Sequence, residues 1–227
     1  ELILHGLAIK PGKPAILGAI GNKAVIGVPG YPVSAALIFH LFVRPIILKR
    51  LGLELPAEEL VEAQLSRNLP SPMGVDEFIF VNLAPVDDHL QVYPLNRGAG
   101  ISSMLVKADG YTIIPRGWEG INNGQNVSVH LWRSRNEIDR SLSITGSHDL
   151  SLDILADLIK RRYKYRLFSN NAGSMGGIMA LRCGDTHMAG VHLLDASDGS
   201  YNISFLKKYL PHQRWLLIHI AKRLQGL

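Results

Sequence analysis

Lys10-Pro11-Gly12-Lys13-Pro14, followed by Ala24-Val25-Ile26-Gly27-Val28-Pro29-Gly30-Tyr31-Pro32-Val33-Ser34, is the stretch on which the reading of this chain turns. Ala24 to Val28 is an apolar run with the content of a buried strand. A tight Pro/Gly turn follows, and a long apolar helix starts at Pro32, whose missing N–H has no partner to lose in a first turn. A strand that turns sharply into a helix aims free backbone N–H groups beyond the turn, and those groups favour an anion. Lys10 and Lys13, one strand upstream, add mobile positive charge. The residues reach a phosphate or oxyanion site with Lys10, Lys13, Pro29, Gly30, Pro32 and Ser34 as candidates. Each keeps a plainer reading beside the functional one. The lysines also fit a solvated loop, the Pro/Gly residues an ordinary strand-to-helix turn, and Ser34 a helix cap.

Outward from this stretch the chain divides into three expected domains, 1–53, 54–136 and 137–227. In the first, Pro14 to Ile20 and Lys23 to Val28 are strands joined by a Gly21-Asn22 hairpin turn. Leu37, Ile38, Leu41, Phe42, Ile46, Ile47 and Leu48 form a wide helical stripe. Pro45 is expected to kink that helix and Gly52 to stop it. The second domain shows short strands without helices between them: Val61 to Leu65, Glu77 to Leu83, Leu90 to Pro94, Tyr111 to Pro115 and Val127 to Leu131. Turn-rich pieces such as Pro70-Ser71-Pro72-Met73-Gly74 separate them, which suggests a small β-barrel or sandwich. Ser102 to Ala108 makes one short helical turn.

A polar linker, Arg133 to Glu137, leads to a domain that alternates strand and helix. Strands are expected at Leu142 to Thr145, Tyr165 to Ser169, Met188 to His192 and Trp215 to Ile220. Helices are expected at Leu150 to Arg162, Gly176 to Arg182 and Phe205 to Tyr209. This alternation implies a parallel sheet covered by helices, and such sheets bind ligands beyond the carboxyl ends of their strands. The loops there hold Ser147 and Ser174, each just before a helix, with Gly176 close behind and His192 at a strand end. Hydroxyls suit a bare oxyanion, but simple N-capping explains both serines equally well. His192 also fits a mere hydrogen-bonding niche. Asp149 repels an anion and fits a cap.

The chain has 227 residues, 47% hydrophobic and 19% charged, as in an ordinary globular protein. The longest apolar run, around Ala35 to Leu48, is broken by His40, Arg44 and Pro45 and falls short of a membrane span. The net charge of +5 is mild. The one basic cluster, Lys160 to Arg166, reads as a helix C-terminus complementing its dipole rather than as a nucleic-acid surface. The single cysteine, Cys183, excludes an internal disulfide and reads as a small buried hydrophobe near a helix end. Neither nucleic acid nor membrane is expected as a partner, and the expected location is the cytoplasm. No Ser/His/Asp triad or Walker-type loop is present, because Ser147, His148 and Asp149 are adjacent and cannot face one another.

The two linked motifs resemble the signature of the molybdopterin molybdotransferase family (the MoeA and gephyrin type). That family carries a similar Lys-Pro-Gly-Lys-Pro segment and then Leu-Pro-Gly-Asn-Pro-Val-Ser, where this chain has Val28 and Tyr31 in place of Leu and Asn. The stretch from Gly100 through Ala108-Asp109-Gly110 is similar to the family's β domain. Gly146-Ser147-His148-Asp149, Gly173 to Gly177 and Ala189 to Asp195 resemble a fused periplasmic-binding-protein-like domain. The resemblance implies an α/β and β fold: a remnant of a molybdopterin-binding-like α/β domain, a small β-barrel, then a partial periplasmic-binding-protein-like lobe, truncated after one lobe. The implied activity is insertion of molybdate into adenylylated molybdopterin with release of AMP, by a homodimer. Implied ligands at the first site are the pterin and molybdate on Lys10, Lys13, Pro29, Gly30, Pro32 and Ser34. Mg²⁺ is implied as cofactor, held by upstream carboxylates absent here, so no catalytic or metal residue is assigned and the chain is expected to be an inactive fragment. The alternative is a molybdate or tungstate binding or sensing module built on Ser147, Ser174, Gly176 and His192.

Overall fold

The two strands expected between Pro14 and Val28 form and pair through their hairpin turn, though the second is not buried, and Leu2–His5 adds a third strand. The computed structural model describes residues 1–98 and 102–221. β1 (Leu2–His5), β3 (Ile16–Ile20) and β4 (Lys23–Gly27) form an antiparallel sheet in the order β1-β3-β4, while β2 (Ile9–Lys10) leaves to pair elsewhere. Gly21 turns the hairpin at positive φ. The Ala24–Val28 run is an edge strand, not a buried one: Val25 is 44% exposed because no described strand lies beyond it.

The helix begins at Pro32 as α1 (Pro32–Ile38), passes through a π-helical stretch at Phe39–Val43 and resumes as α2 (Arg44–Arg50). The π stretch is where the helix absorbs Pro45, which can neither donate to the preceding turn nor avoid crowding it. The whole run is 19 residues, long and apolar enough to cross a membrane by length and composition, which corrects the expectation that it is too short. Val33 and Leu37 are instead packed into a core cluster with Phe78, Phe80, Met104 and Tyr111. Gly52 ends the helix at φ +68. Leu53 N–H donates to the Leu48 carbonyl and Gly52 N–H to that of Lys49, the paired bonds of a Schellman stop.

The short strands of the middle segment close into a barrel. β5 (Leu60–Leu65), β7 (Asp76–Val86), β8 (His89–Pro94), β9 (Gly110–Ile114) and β11 (Asn126–Leu131) run in the order β7-β8-β5-β11-β9, and β9 returns to pair with β7. β2 joins the outer side of β7 in parallel, and β6 (Leu69–Pro70) pairs with β10 (Gly120–Ile121). The short helix α3 (Ser102–Lys107) brings Met104 to the core cluster. Gly100 and Ile101, which open the segment likened to the family's β domain, lie outside the described residues. Closure depends on Gly110, which sits opposite Val81 of β7 and Leu131 of β11. A Cβ there would stand 2.1 Å from the His130 carbonyl oxygen.

By contacts the chain forms two compact units: Glu1–Leu83 with Val92–Ser134, and Ala84–Gln91 with the chain from Arg135 onward. The second unit begins with α4 (Arg135–Ile138), a short helix inside the expected polar linker. β12 (Ser141–Gly146), β13 (Arg166–Asn171) and β14 (Met188–Gly190) make a parallel sheet in the order β13-β12-β14, with α5 (Leu150–Tyr163) and α6 (Gly173–Cys183) as the covering helices. α7 (Ile203–Tyr209) adds Leu206 to Ile178 and Leu210 in a small core. Trp215 to Ile220 is not a strand. The run has no regular structure and Leu216 is 83% exposed, since apolar content without a neighbouring strand to pair with does not make a sheet. Cys183 is exposed rather than buried, as the last residue of α6 before the left-handed Gly184.

Asp149 is the N-cap of α5, its carboxylate accepting the Ser151 N–H at 2.9 Å. Lys160, Arg161 and Arg162 fill the last turn, as the basic cluster suggests. Asp149→Ala is expected to cost about 1 kcal/mol, the usual worth of such a cap; a denaturation midpoint unchanged from the parent would contradict this. The tip of the β7–β8 hairpin belongs to this second unit. Gln91, fully buried, donates to Asp185 Oδ1 at 3.2 Å, and its Oε1 lies 2.9 Å from His89 Nε2. Burial raises the Asp185 pKa, with the His89 charge opposing.

Candidate functional site

Parallel pairing of β2 with β7 sets Lys10 opposite Glu77. Lys10 Nζ lies 3.0 Å from Glu77 Oε1, and that carboxylate is only 2% exposed. Its other oxygen accepts from Ser71 Oγ at 2.7 Å and lies 3.5 Å from Arg97 Nη1. Arg97 also donates to the Pro70 carbonyl, and Arg67 to that of Pro94. Burial and the neighbouring Arg97 charge both lower the Arg67 pKa. One carboxylate thus sits between two cations, with Arg67 beside one of them. The surplus is positive and Lys10 remains half exposed, which suits an incoming anion.

The other candidates of this segment are placed separately. Lys13 is exposed in the turn after β2. Gly12 beside it is buried against Ile9 and Ile38, so the turn packs at the far end of α1 from Pro32. Pro29 is buried, and Gly30 and Pro32 are exposed at the bend. Ser34 is 4% exposed and does not occupy the cap: Tyr31 holds that position, and no side chain caps the helix. The structure therefore joins Lys10 to Arg97 through Glu77 and leaves Gly30 and Pro32 exposed at the bend.

In the second unit the parallel register aligns Gly146 with both Asn171 and Gly190, so three strand ends and their loops share one side. Ser147, Ser174 and His192 meet there. The two Oγ atoms are 2.8 Å apart, and His192 Nδ1 is 3.3 Å from Ser147 Oγ and 3.4 Å from Ser174 Oγ. His192 N–H donates to Ser174 Oγ at 3.0 Å. Neither serine is the residue that caps its helix: α5 is capped by Asp149, and α6 has no side-chain cap at Ala172. Two hydroxyls and an imidazole meet beside the first turn of α6, and each is a group that can donate to an oxyanion. Gly176 and Gly177 serve packing. A Cβ at Gly177 would stand 2.5 Å from the Thr145 carbonyl oxygen, and one at Gly176 would stand 2.8 Å from Ala172 Cβ.

The molecule therefore combines a closed barrel, extended by a strand–turn–helix segment, with a parallel-sheet lobe. Residues 62–132 match the family described as MoeA C-terminal region (domain IV), and residues 156–227 match the PBP superfamily domain. A Methanocaldococcus jannaschii protein whose name assigns it to molybdopterin biosynthesis is 36% identical over 132 residues, which is 58% of this chain and 30% of that protein. The molybdopterin molybdenumtransferase of Bacillus subtilis is 28% identical over 138 residues, 60% of this chain and 32% of its own length. A solved molybdopterin biosynthesis MoeA protein of Pyrococcus horikoshii aligns at 34% identity and a TM-score of 0.49, covering 59% of this chain and 32% of that one. The chain thus spans about a third of the length of these relatives. It carries a MoeA-type C-terminal region followed by a PBP-like domain.

Arg97, Arg67 and Glu77 have no counterpart among the residues singled out from sequence. A lone Arg-Gly after a strand carries no motif, and only the β2–β7 pairing reveals that Lys10 and Arg97 share a carboxylate.

Proposed function

We propose that this chain is the C-terminal portion of a molybdopterin molybdotransferase, acting in molybdenum cofactor biosynthesis to insert molybdate into adenylylated molybdopterin with release of AMP. The match of residues 62–132 to the MoeA C-terminal region carries this reading. Lys10 and Arg97, with Arg67 behind, supply the positive charge that a molybdate dianion or a pterin phosphate requires. In the same reading Lys13, Pro29, Gly30, Pro32 and Ser34 shape the neighbouring ligand surface, and the parent protein is a cytoplasmic homodimer. Mg²⁺ does not fit the residues present: among those described, no group of three or more His, Cys, Asp or Glu side chains could hold a metal ion. No step is assigned through it.

A second reading has its own observation. The convergence of Ser147, Ser174 and His192 supports a molybdate- or tungstate-binding lobe. Titration calorimetry of the 227-residue chain with molybdate, tungstate, sulfate and phosphate separates the two. Lys10→Ala or Arg97→Ala is expected to weaken oxyanion binding at least about tenfold, roughly 1.4 kcal/mol, by removing a charged donor. If binding survives these changes but is lost in Ser147→Ala and Ser174→Ala, the lobe is the site. Binding at neither would refute both.

A further inference from the structure

We propose that a cavity of about 390 Å³ between the helix and the barrel of the first unit binds a small aromatic molecule carrying a phosphate or carboxylate group. Its floor is a carboxylate shared by two imidazoles. Glu58 Oε1 lies 3.1 Å from His40 Nε2, and Oε2 lies 2.6 Å from His130 Nδ1. The three come from different elements: the π stretch, the extended segment before β5, and β11. Tyr111 stacks on His130 with centroids 4.7 Å apart and planes 3° from parallel, and His40 stands edge-on to Tyr111 and Trp132 at 6.0 Å each.

The spare hydrogen-bonding capacity of this cavity lies on the donor side. Both Glu58 oxygens are taken. Arg133 is committed to Asp109 at 2.9 Å and to the Val106 carbonyl. Arg44 lines the cavity, and among the described residues it has no ion-pair partner and the buried Trp132 Nε1 has no hydrogen-bond partner. A guanidinium and an indole N–H left over among aromatic walls call for a ligand that brings acceptors and a ring. An oxyanion on an aromatic group supplies both.

The facing charges fix which groups of the cavity are ionised. Burial pushes Glu58 up, but the hydrogen bonds and charges of His130 and His40 more than offset it and hold the carboxylate below its usual range. The Tyr111 hydroxyl is pushed up to about 12 by burial and by the Glu58 charge, so it stays neutral. Glu58 and Glu59 are the anions facing the cavity, and Arg44 and Arg133 the fixed cations.

The test is a titration of the 227-residue chain with phenyl phosphate, benzoate and neutral benzyl alcohol. Binding is followed by the imidazole proton resonances of His40 and His130, assigned from His40→Gln and His130→Gln. Saturable shifts are expected with phenyl phosphate, benzoate or both, and the stronger of the two identifies the anion. Arg44→Gln is expected to weaken binding at least about tenfold while Lys49→Gln leaves it unchanged. Absence of shifts with both anions, equal binding of benzyl alcohol, or unchanged affinity in folded Arg44→Gln overturns the proposal. Should Arg44→Gln fail to fold, the comparison of anions with benzyl alcohol on the unmodified chain decides.

Discussion

Gly110→Ala is expected to open the barrel. The added Cβ would stand 2.1 Å from the His130 carbonyl oxygen and 3.2 Å from Leu131 Cα, both backbone atoms of the paired strand β11. A side chain can rotate away from a clash, but a ladder of backbone hydrogen bonds cannot. Gly110 is also paired with Val81 on its other side, so β9 has no direction in which to retreat. The cost belongs to the exceptional class, above about 4 kcal/mol. Circular dichroism and thermal melting of the variant are expected to show a chain unfolded or deeply destabilised. A melting temperature within a few degrees of the parent would show that the closure relaxes freely.

The second large effect is expected at the neighbouring residue. Asp109 is fully buried, accepts the Leu83 N–H at 2.8 Å on one oxygen, and pairs with Arg133 Nε at 2.9 Å through the other. The same residue's carbonyl accepts from the Trp132 and Arg133 N–H groups. Asp109 therefore ties β7, β9 and the end of β11 at the seam where the barrel closes. Asp109→Ala leaves a strand N–H without its acceptor and strands a guanidinium beside the core, at a cost of about 3–5 kcal/mol. Urea titrations of Asp109→Ala, Arg133→Met and the double variant measure the coupling. A double variant no better than the sum of the singles would deny the pairing an energetic role.

Much of the architecture is legible in the sequence because its signals are local. The Pro32 helix start, the Gly21 hairpin, the five barrel strands and the β12-α5-β13-α6 alternation all follow from spacing and turn residues that act within a few positions. Ser147, Ser174 and His192 are legible for the same reason, since each lies at a strand end of a sheet whose parallel order the alternation implies. The failures are of another kind. Trp215 to Ile220 has strand content, but content cannot supply a pairing partner. The edge exposure of Ala24 to Val28 depends on which strands surround it. The partners of Lys10, and the meeting of His40, Glu58 and His130, arise where separate elements are laid together by barrel closure, and no interval in the chain announces them.

The hairpin whose tip carries Gln91 has a consequence for anyone dividing this protein. Arg135 looks like the natural place to cut, yet a piece starting there would leave the Asp185 carboxyl without its amide donor, because Gln91 would remain on the other fragment. The chain threads from the first body into the second and back before finally committing to it. The C-terminal lobe is thus not separable at any single peptide bond, and a faithful excision would have to bring the 84–91 loop along or replace it.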